Sequence, residues 1–336
     1  MTSRPDFIAG NTRLRARLPA LLGPVDYDQL AGLSREAAAE RLAASSTFRP
    51  YLNRDHVGDS QLLEAVGHRL RDLLRGVRGL YGGIAATAVG VLLARHDLQD
   101  ALALLRGART GQPAAVRLAA VMSVGSLDQR TASDIAAAPD GATAVLRLTK
   151  HRLPDPLTAR ALPAAWERYE LHGDPDEFET TIATAAIDGW TDRLEWVGRA
   201  ARPILDLVKA ECDRANLLAV LRDPALETPR LLPTGLVPEA ALLALRRGDP
   251  QPAVAARPGW RQPLERHLRD ADLAALEWDL DVAVWRQGVR GLRRGDPLGA
   301  DIPVGYVLAA ECEARTIRLL LAGLAPTYDV RDLLVR

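Results

Sequence analysis

One pattern of acidic, polar and apolar positions is written three times along this chain. Asp97-Leu-Gln-Asp100 leads into Ala101–Arg106, Asp213-Arg-Ala-Asn216 into Leu217–Arg222, and Glu313-Ala-Arg-Thr316 into Ile317–Ala322. Each copy has an acid, a short polar residue three positions on, and then an apolar run. The acids stand 116 and 100 residues apart. In the last copy Leu308, Cys312, Thr316 and Leu319 recur at helical spacing, which predicts one buried stripe with Cys312 in the core. Cys212 and His96 hold the same place in the other copies and are read as packed positions. Each copy ends on helix-stopping residues: Gly107, Asp223-Pro224 and Gly323.

A second, looser marker runs in step with the first. Gly23-Pro-Val-Asp26, Gly125-Ser-Leu-Asp128 and Gly235-Leu-Val-Pro238 each precede an Ala-rich stretch, 102 and 110 residues apart. The two markers agree on a period of roughly 105, too long for helical solenoids of about 34 or 40–47 residues. They predict three helical lobes, at residues 1–110, 111–224 and 225–336. Each lobe is expected to hold an entry segment, a small helix pair and two longer helices, the last carrying the acid. Asp174-Pro-Asp-Glu177 supplies one strong helix start: an N-cap, proline at the first helical position and glutamate at the third.

Composition sharpens the class. The chain is 48% hydrophobic but only 4% aromatic, so Ala and Leu carry the apolar content and the prediction is all-α. Its 43 basic and 43 acidic residues balance, which removes the electrostatic case for a nucleic-acid partner. The basic charge is almost wholly arginine, with Lys150 and Lys209 the only lysines. The two cysteines have no metal-type spacing, and Met1–Phe7 lacks the apolar core of a secretory signal. The longest uncharged run, Gly79–Ala94, would span about 24 Å as a helix against a hydrocarbon core of about 30 Å. It is read as a buried helix. No phosphate-binding Gly-Lys-Ser/Thr loop, His-Glu-x-x-His, Gly-x-Ser-x-Gly or Cys-x-x-Cys is present, and the six histidines are scattered. Asp279 and Asp281, beside Trp278 and Trp285, read as core or interface. No catalytic, cofactor or metal site is expected.

The stretch Asp296-Pro-Leu-Gly299, Ile302-Pro-Val-Gly-Tyr306 and Glu311-Cys-Glu313-Ala-Arg315-Thr-Ile-Arg318 resembles the C-terminal signature of the C/d family of V/A-type ATPase subunits. Leu92–Asp97 with Arg109-Thr-Gly111 resembles the family's first-repeat helix and its exit. Asn11-Thr-Arg13-Leu-Arg15-Ala-Arg17 resembles its Arg-rich opening. The family's lysine and asparagine are Ala310 and Thr316 here. The resemblance implies three similar helical lobes about a pseudo-threefold axis, forming a funnel. It implies a non-catalytic central-stalk component, peripheral on the cytoplasmic face, which joins the proteolipid rotor ring to the central shaft (a coiled coil and its small partner). The membrane would be met only through the ring. Asp97, Asp213, Glu313, Glu211 and Glu311 are candidates to line the cavity, and Arg13, Arg15 and Arg17 to face anionic headgroups or acidic loops. Charge reversal at two of the repeated acids is expected to leave folding intact and weaken shaft capture. The alternatives are a stand-alone helical scaffold with a concave binding face, and an enzyme whose site is assembled from distant residues.

Overall fold

The computed structural model describes residues 6–52, 59–222 and 230–322, and among these the regular structure is entirely helical. The Asp223-Pro224 and Gly323 stops lie outside the described residues. The chain divides into two compact units, residues 1–89 with 285–336, and 90–284, so the boundaries fall inside two long helices.

The first unit holds α1 (Ile8–Ala16), α2 (Pro24–Ala31), α3 (Arg35–Ala44), α4 (Asp59–Arg78) and the start of α5 (Gly83–Arg109). It also takes the end of α15 (Leu273–Arg294) and α16 (Asp301–Leu321). Its centre is α16, against which α1, α3 and α4 pack. Ile302 through Ala310 are buried without a break, so the predicted stripe widens to the whole circumference there. Cys312 and Thr316 lie in the core as the spacing predicts.

The second unit holds α6 (Ala114–Ala119), α7 (Gln129–Ala136), α8 (Gly141–His151), α9 (Pro156–His172) and α10 (Pro175–Val197). It continues with α11 (Arg202–Arg222), α12 (Glu239–Arg246), α13 (Gln251–Ala256) and α14 (Arg261–Asp270). The helices α9 and α10 form a hairpin. Gly173 closes α9 at φ 68°, a left-handed turn open to glycine. Asp174 then caps α10 by accepting from the N–H groups of Asp176 and Glu177, both at 3.0 Å, as its sequence predicts. Beyond the hairpin, Leu217, Leu242, Leu245, Trp260, Leu264, Leu276 and Leu280 form one core that ties α11 and α12 to α14 and α15.

Two sequence expectations change. Gly79–Ala94 is not one helix: α4 ends at Arg78 and α5 starts at Gly83, with a turn between. Nor does Gly107 stop α5, which runs on to Arg109 and ends at Gly111, φ 68°. A Cβ on Gly107 would lie 2.7 Å from Cγ of Arg117, so this glycine serves side-chain packing instead. Arg117 is buried there and donates to the carbonyls of Gln112, Ala136 and Ala138.

Candidate functional site: the repeated carboxylates

The two sequence markers meet in space. Asp97, on α5, accepts from the N–H groups of Ser126 and Leu127, inside the second marker. Asp213, on α11, accepts from Leu236 at 3.0 Å and Val237 at 2.9 Å, inside the third. Glu313, on α16, accepts from Leu22 at 2.6 Å, beside the first. Each acid therefore clamps the glycine loop that follows its own helix in cyclic order, and the last copy returns to the start of the chain. Glu313 bonds on the near side of Gly23 because Pro24 offers no N–H. These three side chains are interior, with 1%, 0% and 4% of their residue surfaces exposed.

Two of the joints carry an arginine. Arg257 places Nε and Nη2 each 2.7 Å from Oδ2 of Asp213. Arg69 places Nε 2.9 Å and Nη2 2.8 Å from Oε1 of Glu313, and stacks over the Phe48 ring. Burial pushes the Glu313 carboxyl above its ordinary range, against the lowering pull of Arg69 and the Leu22 N–H. At Asp97 the interactions are the two backbone donors and the charges of its helix neighbours Asp100 and His96; burial dominates and raises it to about 6.

The polar residue three positions on repeats the device in two copies. Asp100 accepts from Met122 at 2.8 Å and Ser123 at 2.7 Å. Asn216 brackets Leu232, accepting from its N–H at 2.7 Å and donating to its carbonyl at 2.9 Å. These bonds hold loops in which Ser123 and Thr234 sit at φ 53° and 75°, where non-glycine residues are strained. Thr316 donates to the Cys312 carbonyl of its own helix at 2.8 Å.

Two of the three marker glycines are steric requirements of the joint. A Cβ on Gly125 would lie 2.2 Å from Oδ2 of Asp97, and one on Gly235 2.3 Å from Oδ1 of Asp213. On Gly23 the nearest atom would be 3.6 Å away. Alanine at Gly125 or Gly235 is thus expected to cost about 1–3 kcal/mol in denaturant unfolding, by overpacking a buried contact. Gly23→Ala is expected to cost well under that.

Two residues before each acid the copies carry Arg95, Glu211 and Glu311. Arg95 and Glu211 form a direct ion pair, so equivalent positions of α5 and α11 face each other. Glu311 is partly exposed. Arg13 and Arg15 on α1 and Arg17 just past its end all reach solvent, and Arg17 donates to the Gly76 carbonyl at 2.9 Å. Cys212 and Cys312 are buried free thiols, and burial lifts Cys212 to about 12. Asp279 and Asp281 are neutralised by Arg266 and Arg214, at 2.8 and 2.7 Å, which absorbs the acidic pair beside Trp278 into structure. Among the described residues no group of His, Cys, Asp and Glu is placed to hold a metal, and no helix is long and apolar enough to cross a membrane.

Asn11 ties the N-terminal segment to the Asp296-Pro-Leu-Gly299 turn. Its amide donates to the carbonyls of Pro297 and Gly299 at 2.7 and 3.0 Å, while Tyr81 donates to its oxygen at 2.8 Å. Sequence periodicity misses this bracket, and it misses Arg69 and Arg257, because none of them repeats at the period.

Among the described residues the structure is helical, and an acidic motif that recurs three times bonds in each copy to the backbone at or beside a glycine loop, the pattern of a chain built on an internal repeat. Residues 10–331 match the family described as ATP synthase (C/AC39) subunit, and the chain belongs to that family. It is 27% identical over 327 residues to the C subunit of the V-type ATP synthase of Thermus thermophilus, in two strains alike, covering 94% of this chain and 93% of each relative.

Proposed function

We propose that this chain is the non-catalytic central-stalk subunit of a rotary V-type ATP synthase or ATPase. In this reading it links the proteolipid rotor ring to the central shaft, a coiled coil and its small partner. The three repeats, 1–110, 111–224 and 225–336, form similar lobes about a pseudo-threefold axis, as a funnel with its wide face on the ring. It is peripheral on the cytoplasmic face and meets the membrane only through the ring. The observation that carries the reading is the Arg95–Glu211 pair. Residues at one repeat position face one another when the helices bearing them surround a common axis. The cyclic order of the three carboxylate joints supports the same arrangement.

A torque-bearing adaptor has to be stiff, and close-packed helices pinned by buried joints resist shear. The interior acids Asp97, Asp213 and Glu313 serve that stiffness, which leaves docking to groups nearer the surface: Arg13, Arg15 and Arg17, with Glu211 and Glu311. A shaft of low symmetry and a ring of many-fold symmetry cannot share one repeated contact set, which favours charged, adaptable contacts.

The test is capture from native membranes in mild detergent. The tagged chain is expected to bring a proteolipid with it. The Arg13→Glu, Arg15→Glu double variant is expected to retain its circular dichroism and melting but bring several-fold less, with a flatter salt dependence. Absence of any proteolipid with the wild-type chain would sink the assignment. Undiminished capture by the variant would remove the arginines from it.

A further inference from the structure

The three joints share one plan but not one electrostatic complement. At Asp213 and Glu313 a guanidinium stands within 3 Å of the carboxylate. At Asp97 the space against the carboxylate is filled by the Gly125 backbone, and among the described residues its two oxygens are met by N–H dipoles alone. We propose that the Asp97 joint is a pH-responsive latch, which holds the Met122–Asp128 segment against α5 in acid and loosens as the pH rises to neutrality, while the Asp213 joint stays closed.

The physics lies in the cost of burying an unpaired charge. An ionised carboxylate taken out of water needs a cation or several donors, and two neutral N–H groups offset only part of that cost. The charges that bear on Asp97 are both on its own helix: Asp100 raises its affinity for a proton and His96 lowers it. The segment packed against it, Val121–Asp128, contributes one titratable side chain, Asp128, which is exposed and caps α7 through the Thr131 N–H. Once the joint opens, Asp97 returns to water and to an ordinary carboxylate affinity. The closed joint thus binds the proton more tightly than the open one, at about 6 against 3.8. Its stabilisation is complete in acid and is lost as pH rises through 6. That difference sets a ceiling of about a hundredfold on the change in the opening equilibrium.

Hydrogen exchange of the full-length chain reads the latch directly, since the Ser126 and Leu127 amides are its donors. After correction for intrinsic exchange, their protection is expected to fall by about tenfold between pH 5 and 7.5, the part of that ceiling lying above pH 5. The Leu236 and Val237 amides at the arginine-bearing joint are expected to change less than about twofold. In Asp97→Asn the fall at Ser126 and Leu127 should disappear, as no proton remains to be lost. Constant protection of Ser126 and Leu127 in the wild-type chain, or an equal fall at Leu236 and Val237, overturns the latch. So does a fall that persists in Asp97→Asn. The two wild-type comparisons decide the matter alone if that variant fails to fold.

Discussion

Asp213→Ala is expected to lower the unfolding free energy by about 3–5 kcal/mol, a sizeable part of the total for a protein domain. The substitution leaves the Arg257 guanidinium buried beside a hole and strips two backbone donors, Leu236 and Val237, of their acceptor. Each is an unsatisfied group in a medium that cannot solvate it, and the two losses act at the same joint. Asp213→Asn should cost less, because the amide oxygen still accepts while only the charge is lost. Urea unfolding followed by circular dichroism separates the three chains. A loss below about 1 kcal/mol for the alanine variant would mean that water enters and takes over the carboxylate's bonds. The same burial changes what charge reversal at these acids would report. A lysine at Asp213 would face Arg257, so unfolding is expected to precede any measurable effect on a partner.

The joints also show what was legible in the chain. Periodicity exposed both halves of each one, the acid and the glycine loop, since both recur at nearly the same period. Helix class and the packed positions of His96, Cys212 and Cys312 followed from spacing and composition. The pairing of the two markers did not, because hydrogen-bond partners separated by 23 to 291 residues leave no local trace. Nor did the direction in which the acids point. An acid on an otherwise apolar helix reads as a surface group until the loop that receives it is known. Arg69 and Arg257 were invisible for a related reason: they come from non-equivalent elements, α4 and the segment after α13, so the repeat contains no slot for them. Gly107 shows the converse error. A glycine after an apolar run has the composition of a helix stop, but the requirement it meets is room for Arg117.

The second large effect concerns the joint that returns the chain to its beginning. Glu313→Ala is expected to cost about 3–5 kcal/mol, since Arg69 would be left buried without its counter-charge. Arg69→Met combined with Glu313→Leu should recover most of that loss. Both charges are then absent, and Phe48, Leu70, Ala310 and Ile317 already line the space with apolar atoms. What the double variant cannot restore is the acceptor for the Leu22 N–H and the Arg69 donor to the Ala20 carbonyl, both part-buried bonds, so its deficit should be on the order of 1–2 kcal/mol. A double-mutant cycle in urea, with hydrogen exchange at Leu22, distinguishes the two contributions. Recovery of stability without recovery of protection at Leu22 assigns the ion pair to stability and the Glu313–Leu22 bond to tethering the chain's first segment. A double variant as unstable as Glu313→Ala alone would show that the pair's geometry, and not the burial of an uncompensated charge, sets the cost.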